Sequence, residues 1–547
     1  MTKHTRLFPP LLPIRSIVSL VLLSAVVGCA SPDRIDQTNS SDTLQTDLVP
    51  GRSVQLGNQF QQTQVDPHLL LNRLTWGQNA SSMSAMQSLG MDKYLYQQLL
   101  AKNVRLPETI QKQIDAMTIS QKPFATMMQA LDQQRRAAAD MKGTDDTLRK
   151  AYQQELTRVA REAASRSVLR ATYSSNQLLE QMDWFWMNHF NISNRKDNLR
   201  AMVGDFEEHA IRPQALGNFR SLLRATVFHP AMLRYLDNEH NAVNKINENY
   251  ARELMELHTM GVGSGYTQTD VQELARVLTG VGINLRPAQT APKVEQQPEF
   301  VRLGLMEFNP RRHDFGDKTI LSVTIKGSGI AEVEQVIDLL SRQPATAKFI
   351  SRKLAMYFVS DEPSQALVDN MAATFLRSDG DIPSVLQTLF YAPEFTASLG
   401  KKFKDPVHYV ISSVRMAYDG SPIVNTGPIL NWINTLGQQA NGHQTPDGYP
   451  LQEMAWSSAA QMTARFDIAR AIARGTPNLF KPENEDEKNE ALNAQARELA
   501  RPALAQNTYV KTISKQFSPS SQEALTQSAS PLEWNAFFLA APEMMRR

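Results

Sequence analysis

Cysteine is nearly absent: the 547 residues hold one, Cys29. A lone thiol builds neither a disulfide framework nor a thiolate zinc or iron–sulfur site, so the core must stand without covalent staples. Glycine is also sparse, at 25 residues. The rest is rich in Leu, Ala, Gln, Met, Glu and Arg, a helix-forming composition. No sign of charge dominates: 57 Lys and Arg meet 55 Asp and Glu, for a formal net charge of +2. The basic residues are scattered, whereas nucleic-acid binding calls for a concentrated basic face. Long apolar runs are missing as well. The stretch Ile17–Val27 is the most hydrophobic, and it is shorter than the roughly 20 residues a bilayer-spanning helix needs. There is no Gly-x-Ser-x-Gly elbow, no Walker loop and no HExxH.

What is present begins at the N-terminus. Lys3, Arg6 and Arg15 precede the apolar run, and Gly28 separates it from Cys29. A basic start, a short hydrophobic core and a small residue before the cut site describe a secretory signal peptide. A cysteine directly after that small residue resembles the bacterial lipobox, with Val26 standing where leucine is commonest. The expectation is a signal peptide over 1–28 and acylation of Cys29 by chains such as palmitate. Several chains anchor far more firmly than one, and Ala30 rather than an aspartate suits sorting to the outer membrane. The protein is thus expected to be exported and to face the periplasm or the cell exterior. Residues 29–66, rich in Ser, Thr, Asp, Asn and Gln, read as a flexible tether.

The body, 67–547, is expected to be mainly α: a large multi-helix single body with a small β-hairpin insertion near 300–326. Its first helix opens at Pro67 with His68-Leu69-Leu70-Leu71. Lys142-Gly143-Thr144-Asp145 reads as a turn, and the charged segment 148–170 as an exposed helical hairpin. Leu178, Met182, Phe185 and His189 recur at helical spacing and predict one buried face. Thr267 and Asp270 form a capping box. Alternation in 300–308 and 319–325 predicts short strands. The Gly/Pro/Asn-rich stretch 420–450 reads as a loop, and 476–500 as a charged surface insertion.

Chemistry is less legible. Glu253 lies beside the apolar stripe Tyr250, Leu254 and Leu257, where a carboxylate needs a partner; it reads as a structural ion pair to an arginine, or as a base or metal ligand. Ten histidines are few. His189, His258 and His313, with Glu253 or Asp314, are candidates for a divalent-metal or acid/base cluster. The plain alternatives are a hydrogen-bonded core histidine at 189, a helix C-terminal cation at 258 and a turn-holding histidine at 313. Pro446-Asp447-Gly448-Tyr449-Pro450 is a tight turn by composition and a candidate substrate-contacting loop.

Seven segments in order along the body carry a family resemblance. They are 68–77 (HLLLNRLTWG), 184–190 (WFWMNHF), 232–238 (MLRYLDN), 247–261 with its Gly-Tyr-Thr continuation, 313–319 (HDFGDKT), 349–354 (FISRKL) and 446–450 (PDGYP). Together they resemble the bacterial family called domain of unknown function (DUF) 1800. Two positions depart from it: Val281 replaces a usual tryptophan, and His408 stands where glutamate is frequent. The resemblance implies an exported, mostly helical protein. It implies no reaction, and its only hint of a partner is a co-exported, sulfatase-like protein. The leading expectation is a lipid-anchored envelope protein that binds or assembles with a partner. The rival is an envelope hydrolase, with or without a metal, centred on His189, Glu253, His258, His313 and Asp314.

Overall fold

The computed structural model describes residues 60, 65–101, 104–140, 146–286, 299–483 and 489–547. The expected signal peptide, Cys29, almost all of the tether and the turn at 142–145 lie outside the described residues. The rest is mainly α-helical.

Local signals explain where helices begin. Asp66 accepts hydrogen bonds from the His68 and Leu69 amides at 2.7 and 3.3 Å, and Pro67 takes the first helical position of Pro67–Leu74, where its missing N–H costs nothing. Asn176 caps Gln177–His189 by accepting from the Leu179 amide at 2.8 Å. The Thr267–Asp270 capping box forms as expected. The segment 148–170 is not an exposed hairpin. It is one helix, Thr147–Tyr173, packed along Phe124–Asp140, and it buries Tyr152, Leu156, Val159 and Ala163. Its charges line the other faces, and their density hides the buried stripe.

Two short helical stretches are wound as π-turns, Phe206–Ile211 and Leu254–Thr259. Such wide turns recur at functional positions because each carries an extra residue and re-aims the side chains after it.

The strands form two small antiparallel sheets rather than one hairpin. β1 (Val281–Ile283), β2 (Val301–Leu303) and β3 (Met306–Phe308) order as β1-β3-β2, with Val281 opposite Phe308. β4 (Lys318–Ile320) pairs with β5 (Val323–Ile325). β1 was not foreseen, since three residues behind a helix carry too little alternation. A helix inside the expected loop, Gly427–Thr435, also escaped the sequence reading; Gly427-Pro428 looks like a turn and is instead its N-terminal start. The expected surface insertion at 476–500 is partly internal, because Leu479, Phe480, Ala496 and Ala500 are buried.

Burial divides into two large apolar clusters. One runs from Phe60 to Leu399. The other joins Trp76, Val168 and Ala171 to residues 403–545. Trp184 packs against both. Arg73, fully buried between them, donates to the Ser398 hydroxyl and carbonyl at 2.9 and 2.7 Å and to the Phe358 and Arg547 carbonyls.

Candidate functional site

The candidate histidines part company. His189 and His258 meet in the core, each 1% exposed, with ring centres 6.3 Å apart. His189 Nε2 donates to the His258 carbonyl at 3.1 Å, while His189 Nδ1 and His258 Nε2 have no hydrogen-bond partner among the described residues. Burial, and then the Lys353 ammonium, depresses His189 well below the usual histidine range and brings His258 to about 3. Both are neutral imidazoles at pH 7. Glu253 has no ion pair among the described residues. Arg252 pairs instead with Glu248 and Glu256 at 3.2 and 3.5 Å, and burial, then Glu256, pushes the Glu253 carboxyl up.

His313 and Asp314 belong to other constellations. The His313 ring nitrogens face the Thr279 carbonyl at 2.8 Å and Glu332 Oε1 at 3.0 Å. Glu332 also accepts from Lys318 Nζ at 2.5 Å and from the Ser328 and Gly329 amides. Asp314 holds Arg276 at 2.8 and 3.1 Å, and that hydrogen-bonded guanidinium lowers it to about 2. So the structure brings His189 and His258 together and engages His313 and Asp314 with different partners. Among the described residues no group of three or more His, Cys, Asp or Glu side chains is arranged to hold a metal ion. Spacing alone carried no information on this, because each histidine's partner comes from a distant segment.

A cleft lies where the two apolar clusters meet, with about 100 Å³ of space inside it. Trp76, Trp184, Val168, Ile411 and Ile433 give it apolar walls, and Glu180, Asp183 and Glu207 give it an acidic floor. Trp76 meets Trp184 edge-on at 6.1 Å and lies against His408 at 4.3 Å. A concave apolar site with a few convergent polar groups is the usual form of a small-molecule pocket.

Three segments build the floor. Gln177–His189 contributes Glu180 and Asp183 and the Phe206–Ile211 π-turn contributes Glu207, while Glu208 of that turn and Arg166 and Arg170 of Thr147–Tyr173 pair with the floor or with one another outside the lining. Arg212 binds Glu180 at 2.6 Å, Arg170 binds Glu208 at 2.7 Å, and Arg166 lies 3.1 Å from Glu208 and 3.9 Å from Glu207. Glu207 also accepts from the Ser167 hydroxyl at 2.6 Å. Burial tends to raise Glu208, but the hydrogen bond from Arg170 and the charges of Arg166, Arg170 and Arg212 outweigh it and hold the carboxyl at about 2. Asp183 has the opposite fate. Burial first, then the charges of Glu207 and Glu180, push it well above the usual carboxylate range and favour its protonated form.

Three deeply buried polar atoms on the cleft lining have no hydrogen-bond partner among the described residues: Trp76 Nε1, Asp183 Oδ1 and Gln438 Nε2. Their residues are 1%, 5% and 1% exposed. Gln438 is fixed by its other end, since its Oε1 accepts from the Val407 amide at 3.0 Å.

The Pro446–Pro450 turn closes one side. Asn188 Nδ2 donates to the Tyr449 carbonyl at 2.9 Å, and the Tyr449 amide donates back to Asn188 Oδ1 at 2.7 Å. Gly448 has φ +77°, and a Cβ there would stand 2.1 Å from the Asn188 carbonyl oxygen, so this contact admits only glycine. The turn thus lines the cleft through Tyr449.

Sequence reading missed the floor. The signal was available in part: Glu180, Asp183 and Met187 recur at i, i+3 and i+7 on a helix whose opposite face carries Leu178, Met182, Phe185 and His189, and two acids on such a helix need an explanation. Glu207 and Glu208 offered no signal, because only the π-turn aims them inward.

The chain belongs to the family described as protein of unknown function (DUF1800), whose model matches residues 69–546. No curated protein and no solved structure matches it.

Proposed function

We propose that this protein is an exported, lipid-anchored envelope protein that binds a small amphipathic ligand in the cleft between its two apolar clusters. The observation that carries the binding reading is the trio of unpartnered buried atoms on one lining. A polar group buried without a partner costs roughly 1–3 kcal/mol, and three on residues that line one cavity are accounted for if a ligand, with a small shift of those side chains, supplies the missing bonds. Its apolar body would lie against Trp76, Trp184 and Ile411, and its polar end would reach the floor.

The test is capture of small molecules. The full-length protein, extracted from the envelope in mild detergent, is analysed by native mass spectrometry for bound species. A recurrent non-lipid mass that disappears in Trp184→Ala supports the reading; identical bound species in both proteins count against it. The anchor rests on the Cys29 pattern and is tested separately by mass spectrometry of the mature N-terminus, where an unacylated Cys29 would remove it. The protein-scale partner, a co-exported sulfatase-like protein, rests on family resemblance and is tested by pull-down from envelope extracts.

One observation favours hydrolysis as a second reading. Asp183 is a buried carboxyl on the cleft lining whose affinity for a proton is raised by burial, then by Glu207 and Glu180, the direction a general acid requires. Under that reading Asp183 protonates a leaving group, and Asp183→Asn abolishes turnover of any substrate found while leaving its binding intact.

A further inference from the structure

The floor of the cleft has an odd number of charges. Glu180, Asp183, Glu207 and Glu208 face Arg166, Arg170 and Arg212, and each guanidinium is already engaged by a carboxylate other than Asp183. Four acids against three cations leave one acid over. Asp183 is that acid: its side chain is on the cleft lining, and its buried Oδ1 has no hydrogen-bond partner among the described residues. Burial and the charges of Glu207 and Glu180 favour a proton on Asp183, because an isolated buried carboxylate is costly. A ligand bearing its own positive charge would resolve the excess differently, supplying the fourth cation and releasing that proton.

The walls fit the same guest. Trp76 and Trp184 stand edge to face at the cavity, and indole faces attract cations. No lysine or arginine lines the cleft, so nothing there repels an ammonium group or welcomes an anion.

We propose that the cleft selects ligands carrying a protonated amine on an apolar body, with the Asp183 carboxylate accepting from the ammonium group. This deepens, and rests on, the reading of the cleft as a ligand site. Amine binding then releases about one proton and strengthens as pH rises from 6 to 8. The groups facing Asp183 are Glu180 on its own helix, Glu207, Glu208 and Arg212 from the π-turn segment, and Arg166 and Arg170 from Thr147–Tyr173. The arginines remain charged in that range, so Asp183 is the group assigned to exchange the proton.

The experiment is calorimetric titration of the full-length protein with three probes of one shape and different charge: 2-phenylethylamine, 2-phenylethanol and 3-phenylpropanoate. The expected result is that the amine binds about 10- to 100-fold more tightly than the alcohol, the span of one charge-assisted hydrogen bond. The carboxylate is expected to bind weakest. Repeating the amine titration in buffers of different ionisation enthalpy should show about one proton released per amine bound. Asp183→Asn should remove the amine's advantage and leave the alcohol within about twofold. If the alcohol or carboxylate binds as well as the amine, the ammonium proposal fails and the cleft reading survives. An amine preference untouched by Asp183→Asn, or amine uptake without proton release, overturns the role of Asp183. If none of the three probes binds, the cleft reading falls with the proposal. The charge series and the proton count use the unmodified chain, so they stand even if the variant misfolds.

Discussion

The His313 centre and the Gln177–His189 helix both bury ionisable groups, and they finish the task differently. Around His313, every acceptor and donor is used. The imidazole meets Thr279 and Glu332, Glu332 meets Lys318 and two backbone amides, and the His313, Lys318 and Glu332 side chains are all at 0% exposure. On Gln177–His189, Asp183 Oδ1 and His189 Nδ1 stay unpartnered among the described residues, as does Nε2 of the neighbouring His258. A completed network rigidifies a fold. An incomplete one, beside a cavity, is where a ligand or a proton has work left to do. Of the three candidate histidines, His313 is the one whose two ring nitrogens both have partners.

Acid should separate the two regions most strongly. His258 has a folded value of about 3 against an ordinary 6.5, so its contribution to stability is complete above pH 6.5 and is lost as pH falls toward 3. The loss is at most about 5 kcal/mol, at roughly 1.4 kcal/mol per unit. Glu332 is also depressed, because its bonds to His313 and Lys318 outweigh burial, but from an ordinary 4.5. Its contribution is therefore intact above pH 4.5 and declines only below it. Hydrogen exchange between pH 7 and 5 should show weakened protection around 185–190 and 254–259 before 313–332. Simultaneous loss in both regions would erase the distinction.

Breaking the completed network should cost nearly as much. Glu332→Ala leaves Lys318 buried without its carboxylate, and unpaired buried charges cost about 3–5 kcal/mol. Denaturant unfolding should show this directly, and a loss below about 1 kcal/mol would mean that the network is not what holds the 279–332 region. Gly448→Ala is expected to cost about 2 kcal/mol, from its positive φ and its overlap with Asn188, and to weaken ligand capture with it. The smallest effect has the opposite sign. A carboxyl whose folded value is raised adds stability below its unfolded value and loses it as pH rises. Asp183→Asn ends that loss, so at pH 8 it should leave the melting temperature unchanged or raise stability by up to about 1 kcal/mol. A clear destabilisation would show that Asp183 is a structural group like Glu332.

Legibility followed distance along the chain. The Asn176 and Thr267 caps and the face made by Leu178, Met182, Phe185 and His189 were readable, because caps and stripes are set within a few residues and all four face residues are buried. The strands near 300–325 were readable as extended segments but not as two sheets, since β1 lies beyond a long connection. The Gly427–Thr435 helix was lost because glycine followed by proline serves equally as a turn and as a helix start. The cleft was lost for another reason: its lining comes from residues 76, 164–191, 207, 407–411 and 430–449, and no local pattern records which segments will meet.

Composition and local pattern determined that this chain is helical, lacks an internal disulfide, and carries a basic stretch, an apolar run and its single cysteine within residues 1–29. Those properties are summed residue by residue or set within a turn of helix. Tertiary structure alone decided that His189 would find His258 rather than His313, and that Asp183 would be the acid left without a guanidinium. Charge balance is a property of a neighbourhood, and this neighbourhood is assembled from three helical segments.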